Sequence, residues 1–219
     1  MKSKILLLST ILTGLLYFET YSQNNSSINK QNEIVKQLRF KNPNTPIDTL
    51  IYKTKKEYIQ ITPSGLITTS KKFHHQLNIE KDLMVEDACV YENDTHYYIL
   101  YTESDLMESV GFLEKINKQN SKSEYRNYIQ WSGYPKPLIR NGNLYYASWG
   151  NVGKIKLESG KTLWHKNHLY DSKKNAFGGF DSIIYNNNLV KFSSKKPRTE
   201  KIDLITVNDE TGEVLSINK

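Results

Sequence analysis

The chain has 219 residues, 30 basic and 23 acidic side chains, a formal charge of +7 and a single cysteine. One cysteine excludes an internal disulfide framework, so the core must hold the fold. The positive excess is scattered, and arginine occurs only at Arg39, Arg126, Arg140 and Arg198, which argues against nucleic-acid binding.

The N-terminus reads as an export signal. Met1-Lys2-Ser3-Lys4 is a short basic stretch, Ile5 to Leu16 is mostly apolar, and Thr20-Tyr21-Ser22-Gln23 offers small residues three and one before a cut. The apolar run falls short of the about 20 residues that span a bilayer, which favours cleavage over a retained anchor. Lipidation needs a cysteine at the cut, and the only one is Cys89. Residues 1–22 are therefore expected to be removed. The mature chain would begin near Gln23, without stable membrane insertion, in the periplasm or secreted.

Residues 23–46 read as a flexible lead-in, polar at first. Ile34-Val35 and Leu38 with Phe40 could form a helical turn or a short strand, and Asn42-Pro43-Asn44-Thr45-Pro46 breaks the chain. From residue 47 to 219 the pattern predicts an all-β domain. Short β-branched and tyrosine-rich runs alternate with Asn, Gly, Ser and Asp turns, and no long stretch has the 3.6-residue period of a packed helix. Lysine groups at Lys53–Lys56, Lys71-Lys72, Lys173-Lys174 and Lys195–Arg198 fit solvated turns and strand edges.

A loose internal repeat organises this domain. Leu138-Ile139-Arg140-Asn141-Gly142-Asn143-Leu144-Tyr145-Tyr146 matches Ile183-Ile184-Tyr185-Asn186-Asn187-Asn188-Leu189-Val190-Lys191, and both read as hairpins. Asn141-Gly142 suits a type I′ turn, whose central residues need positive φ, and Asn187-Asn188 tolerates the same conformation. Cys89–Tyr98 is a weaker copy, and Leu50-Ile51-Tyr52 with Tyr58–Ile61 is the earliest. A second element follows the hairpin: strand, polar turn, strand. It occurs at Ile155–Trp164 and Leu204–Leu215, and again at Phe112–Asn117 followed by a longer turn and Tyr128-Ile129-Gln130-Trp131. The repeat is about 45–50 residues, the length of a four-stranded antiparallel unit. About four such units fit, and units of this kind stack to cover their faces.

Residues 138–217 resemble the pyrroloquinoline-quinone-type (PQQ-like) β-propeller repeat. The resemblance rests on Asn143-Leu144-Tyr145-Tyr146 through Leu157-Glu158-Ser159-Gly160-Lys161-Thr162-Leu163-Trp164, a blade ending in a glycine turn and a strand that closes on tryptophan. Residues 183–217 follow the plan with Ser216 in the tryptophan's place. The resemblance implies a propeller-like array. It implies no cofactor, because the chain lacks the vicinal cysteines and the Glu/Asn/Asp constellation of the redox quinoproteins. A closed propeller, an open stack of meanders and a half-propeller completed by a partner chain are the architectures left open.

No catalytic constellation stands out, and no cofactor or metal site is expected. His165-Lys166-Asn167-His168 and the adjacent pair His74-His75 lack the third and fourth ligands that a metal needs, and the HxxH pair reads as surface histidines after a closing strand. Glu103, Asp105 and Glu108 around Met107 read as a solvated loop, and Ser132 has no flanking base. Cys89 sits in apolar Ala88-Cys89-Val90-Tyr91 and reads as a buried, inert thiol.

Aromatic residues are the better lead. Tyr97-Tyr98, Tyr101, Tyr128, Trp131, Tyr134, Tyr145-Tyr146 and Trp149 crowd the middle of the chain. Strand alternation sends consecutive Tyr145 and Tyr146 to opposite faces. Tyr134 and Trp149 flank glycines, Gly133 and Gly150, and are the candidate contacts for a protein or carbohydrate partner. The expected function is an exported, non-enzymatic binding protein. An enzyme acting on an extracellular polymer and an exported inhibitor or immunity-type protein are the rivals.

Overall fold

The computed structural model describes residues 36–38, 49–54, 57–105, 108–169, 179–195 and 202–218. Every regular element among them is a strand. The first sheet contains β1 (Lys36–Leu38), β2 (Leu50–Lys53), β3 (Tyr58–Ile61), β4 (Leu66–Thr69) and β5 (His74–Gln76). The second contains β6 (Met84–Glu92), β7 (His96–Ser104), β8 (Ser109–Asn117) and β9 (Ser123–Ile129). The third contains β10 (Leu138–Arg140), β11 (Asn143–Ser148), β12 (Asn151–Lys156) and β13 (Thr162–Lys166). The fourth contains β14 (Ser182–Asn186), β15 (Leu189–Lys195), β16 (Ile202–Asn208) and β17 (Val214–Asn218). In each sheet the strands lie in sequence order, so the chain runs as four antiparallel meanders. The expected four-stranded unit is present three times, and the first unit carries a fifth strand. Strand β1 falls in the lead-in, where the sequence left a helical turn or a strand open.

Burial shows how the sheets stack. The first is buried on one face only: β3 alternates exposed Tyr58, buried Ile59, exposed Gln60 and buried Ile61. The second is buried on both faces, and β7 is buried without a break from Tyr97 to Ser104. A strand covered on both sides loses the alternating pattern. Three cores separate the sheets. Leu50, Tyr52, Ile59, Ile61 and Ile67 meet Val90, Tyr97, Ile99 and Tyr101 between the first and second. Tyr98, Leu100 and Leu113 meet Leu144, Tyr146 and Ile155 between the second and third. Tyr145, Val152 and Trp164 meet Val190, Phe192 and Val207 between the third and fourth. Tyr145 and Tyr146 thus serve different cores, as strand alternation requires. Among the described residues no hydrophobic core joins the fourth sheet to the first.

The hairpin reading holds at residue level. Asn141 and Gly142 have φ of 49° and 70°, and Asn187 and Asn188 have 48° and 61°. One repeat element is displaced. Strand β9 begins at Ser123 and follows a short turn in which Ser121 takes the positive φ. The strand at Tyr128–Trp131 expected after a longer turn is therefore wrong: Tyr128 and Ile129 only finish β9, and Trp131 lies beyond it. Most of β9 is polar and partly exposed, which hid it from a pattern search.

A common contact fastens the second sheet to the third and the third to the fourth. Lys115 pairs with Tyr98 on one side and Tyr125 on the other. Lys154 occupies the same place between Tyr145 and Trp164. Tyr125 donates its hydroxyl to the Leu157 carbonyl at 2.5 Å and packs on Gly160, while Trp164 donates Nε1 to the Asp209 carbonyl at 2.8 Å and packs on Gly212. Lys115 Nζ reaches Glu158 Oε1 at 3.0 Å, and Lys154 Nζ reaches Asp209 Oδ1 at 2.7 Å. The aromatic ring supplies area and the lysine supplies a charge-assisted bond to the neighbouring turn.

Candidate functional site: an aromatic loop surface on the third sheet

The aromatic crowd divides sharply. Tyr97, Tyr98, Tyr101, Trp131, Tyr145 and Tyr146 are buried. Tyr134, Trp149 and Tyr128 stay out, at 54, 61 and 61 % exposure. Tyr128 lies on edge strand β9, with its ring 6.2 Å from that of Phe112. Tyr134 and Trp149 lie on connections: the first between β9 and β10, the second in the β11–β12 turn with Gly150. These connections meet, because Ser132 Oγ and Ser148 Oγ are 3.0 Å apart.

Both aromatics stand on fixed backbone. The buried Trp131 ring donates Nε1 to the Pro135 carbonyl at 2.8 Å, and Tyr91 donates its hydroxyl to the Pro137 carbonyl at 3.1 Å. The Tyr134–Pro135 peptide is cis. Gly133 lies against Asp87: a Cβ placed there would come within 3.0 Å of the carboxylate. Tyr134 itself donates to the Asp181 carbonyl at 3.3 Å, which ties this loop to the start of the fourth sheet. In the adjoining turn Asn151 Nδ2 donates to the Trp149 carbonyl at 2.8 Å, and Leu169 N donates to the Gly150 carbonyl at 3.0 Å. Exposed rings on a pre-ordered backbone lose little entropy on contact with a partner.

The acidic group needs correction. Glu103 is not in a solvated loop; it lies on β7, 1 % exposed, and the Arg126 guanidinium pairs with its Oε1. The sequence missed this because Glu103 is the next-to-last residue of a strand covered on both faces. Glu114 is buried nearby, accepts from the Tyr101 hydroxyl at 3.3 Å and is hydrogen-bonded to His75 Nε2 at 2.9 Å. Arg126 Nε donates to that same tyrosine oxygen at 2.8 Å. Two buried carboxylates are therefore linked through Tyr101 and Arg126. Each is paired inside the packed interface, so neither is poised as a general acid or base toward a substrate.

The histidines also separate. His168 is exposed, whereas His165 is half-buried, stacks on the Tyr146 ring at 6.3 Å and has a pKa lowered by burial. That corrects the surface reading of His165. His75 is clamped in the first interface. No group of three or more His, Cys, Asp or Glu side chains among the described residues could hold a metal. Cys89 is buried, and burial pushes its thiol up to about 12, with Lys136 opposing and Asp87 reinforcing the shift.

A hollow of about 330 Å³ lies at the other end of the sheets, lined by Lys154, Asn188, Asn208, Asp209 and Glu210. Its Asp209 carboxylate is occupied by Lys154, by Tyr145 at 2.8 Å and by Tyr185 at 3.2 Å. The hollow therefore belongs to the contact between the third and fourth sheets.

No protein-family model matches the chain, and no curated protein matches it. Solved structures do. The computationally designed Ika8 protein is similar with a TM-score of 0.52 at 9 % identity, over 78 % of this chain and 49 % of that one. Sqt1 of Saccharomyces cerevisiae is similar at 0.46 and 10 % identity, over 87 % of this chain and 66 % of that one. The WD40 domain of SCAP from fission yeast is similar at 0.41 and 14 % identity, over 90 % and 50 %. The chain spans about half the length of the designed protein that it matches. The likeness to the designed protein speaks for the fold alone, and with the four sheets in sequence order the chain is an all-β, β-propeller-like array.

Proposed function

We propose that this protein is an exported, non-enzymatic binding module that recognises a protein partner through Tyr134 and Trp149. The observation that carries the reading is the contrast within the aromatic crowd: six rings are buried, while these two are offered on hydrogen-bonded loops joined by Ser132 and Ser148. Tyrosine and tryptophan dominate binding energy where proteins meet, and they do so on surfaces that lack a deep pocket. The scaffold alone assigns nothing, since one fold hosts many functions. Against the polymer-acting enzyme stands the pairing of Glu103 with Arg126 and of Glu114 with His75 and Tyr101. The PQQ-like assignment of the repeat rests on the glycine turn at Gly160 and the closing Trp164, and it brings no quinone with it.

The test is chemical cross-linking and capture from the native host's extracytoplasmic fraction, with the parent chain and a Tyr134→Ala/Trp149→Ala double variant side by side. A protein recovered with the parent and lost with the variant, at unchanged thermal midpoint, is the expected result. Retention of every partner by the variant overturns the assignment, as does binding confined to glycans on an array. Export is tested on the same material: N-terminal sequencing should begin near Gln23, and an intact Met1 on membrane-bound protein refutes cleavage.

A further inference from the structure

The first and second sheets are joined by a contact that the other interfaces lack. His75 of β5 projects from the first sheet into the second, its side chain 9 % exposed beside a Glu114 side chain that is 3 % exposed. Its Nδ1 lies 2.8 Å from the Ser121 carbonyl oxygen and its Nε2 lies 2.9 Å from Glu114 Oε1. A carbonyl oxygen only accepts, so Nδ1 must carry a proton. The second bond needs a further proton, on Nε2 or on the carboxylate. The hydroxyl of Tyr101 bears on the choice. It accepts from Arg126 Nε at 2.8 Å, which leaves its own proton to donate to Glu114 Oε2 at 3.3 Å. With Glu114 Oε2 already accepting, the geometry favours Nε2 as the donor of the second bond.

We propose that His75 is held as an imidazolium and acts as a pH-sensitive clasp that fastens the first sheet to the second. The surroundings agree. Glu114 faces the ring directly, with Tyr101, Arg126 and Glu103 behind it on the second sheet. Lys122 follows Ser121 on the turn, and His74 is the exposed neighbour within β5. Burial works against the charged ring, but the bonds to Glu114 and Ser121 outweigh it and raise the pKa above 6.5. A group raised on folding stabilises fully below its unfolded pKa. That stabilisation is lost as pH climbs through the folded value. The clasp is therefore closed in mildly acidic solution and opens on the alkaline side of 6.5.

The location makes the opening local. Among the described residues the first sheet shares a core with the second sheet alone. In stacked repeats each unit is stabilised by its neighbours, and an end unit can loosen while the rest stays folded. Above the transition β3 to β5 should detach first, uncovering the face of the second sheet that carries Tyr97, Tyr101 and Phe112.

The ring titration of His75 by NMR and amide exchange across the same pH range, in the unmodified chain, test this together. The expected result is a ring midpoint above 6.5. Amides of Ile59, Ile61 and Ile67 should gain exchange over those of Val152 and Ile155, after correction for intrinsic rates. The gain should be about tenfold for each unit by which the midpoint exceeds the unfolded value. Glu114→Gln should lower the midpoint and erase the differential gain. If that variant fails to fold, the unmodified chain still decides. A midpoint at or below 6.5, or first-sheet amides that track the third sheet throughout, overturns the clasp.

Discussion

Trp164→Ala tests the architecture at its most informative contact. Trp164 is 6 % exposed, lies 6.3 Å from the Tyr145 ring, and covers Gly212 so closely that a Cβ there would fall 2.6 Å from its Cγ. Truncation removes the largest side chain on the closing strand and leaves a cavity between two sheets that cannot collapse past Tyr145. Losses of about 3–5 kcal/mol are usual for such a change. The lost indole bond adds little, because the Asp209 carbonyl keeps Lys154 Nζ at 3.0 Å and is not orphaned. Trp164→Phe, which keeps most of the area and loses the bond, should cost about 1–2 kcal/mol. Urea unfolding followed by far-UV circular dichroism gives the numbers, with Trp149→Ala as the exposed control at within about 0.5 kcal/mol of the parent. Because the cores among the described residues join each sheet to its sequence neighbours, the fourth sheet could unfold in a separate earlier step, and exchange at Val190 and Phe192 would show it. Trp164→Ala within about 1 kcal/mol of the parent refutes the contact between the third and fourth sheets.

Two further outcomes follow from single positions. Gly142→Val meets no atom within 4 Å of its Cβ, so its cost is purely backbone: φ of 70° in a β-branched residue should remove about 1–3 kcal/mol in thermal or urea unfolding. Cys89 should react with a thiol reagent only at the rate of unfolding, since the thiol is buried and its pKa stands near about 12; rapid stoichiometric labelling of the native chain would contradict that environment.

What the sequence disclosed was what period and turn chemistry can carry. The third and fourth sheets were legible because Asn141-Gly142 and Asn187-Asn188 mark hairpins, and because Ile155 to Trp164 keeps a strand pattern on both sides of Gly160. The first sheet was barely legible: its strands are three or four residues long, too short for alternation to register. Strand β9 was displaced because Ser121 does the work of a turn glycine and polar residues fill the strand. Tyr134 and Trp149 could be singled out by their flanking glycines, whereas the bonds that fix their loops join residues far apart in the chain, such as Tyr134 and Asp181. Buried charge was the least legible of all. Glu103, Glu114, Lys115 and Lys154 look solvated one at a time, and only the repeat alignment of Lys115 with Lys154 hints that a charge belongs in the interface.

That alignment also shows how the last sheet differs from those before it. The trio Tyr98, Lys115 and Tyr125 becomes Tyr145, Lys154 and Trp164 in the third sheet, and each trio grips the turn of the following sheet. At the same register the fourth sheet has Lys191, Thr206 and Ser216. The aromatic that would cover a neighbour's glycine is a serine, and the tyrosine is a lysine that would have to lose its hydration to be covered. Ile184 on the same face, 53 % exposed, offers a patch of apolar area without the ring and the charged bond that secure the other interfaces. This face lacks the grip of the two preceding sheets, with Thr206 buried and Lys191 and Ser216 half-buried. The contact that joins the second, third and fourth sheets therefore has a direction, running from the fourth strand of one sheet to the glycine turn of the next, and the residues of β15 to β17 do not repeat it.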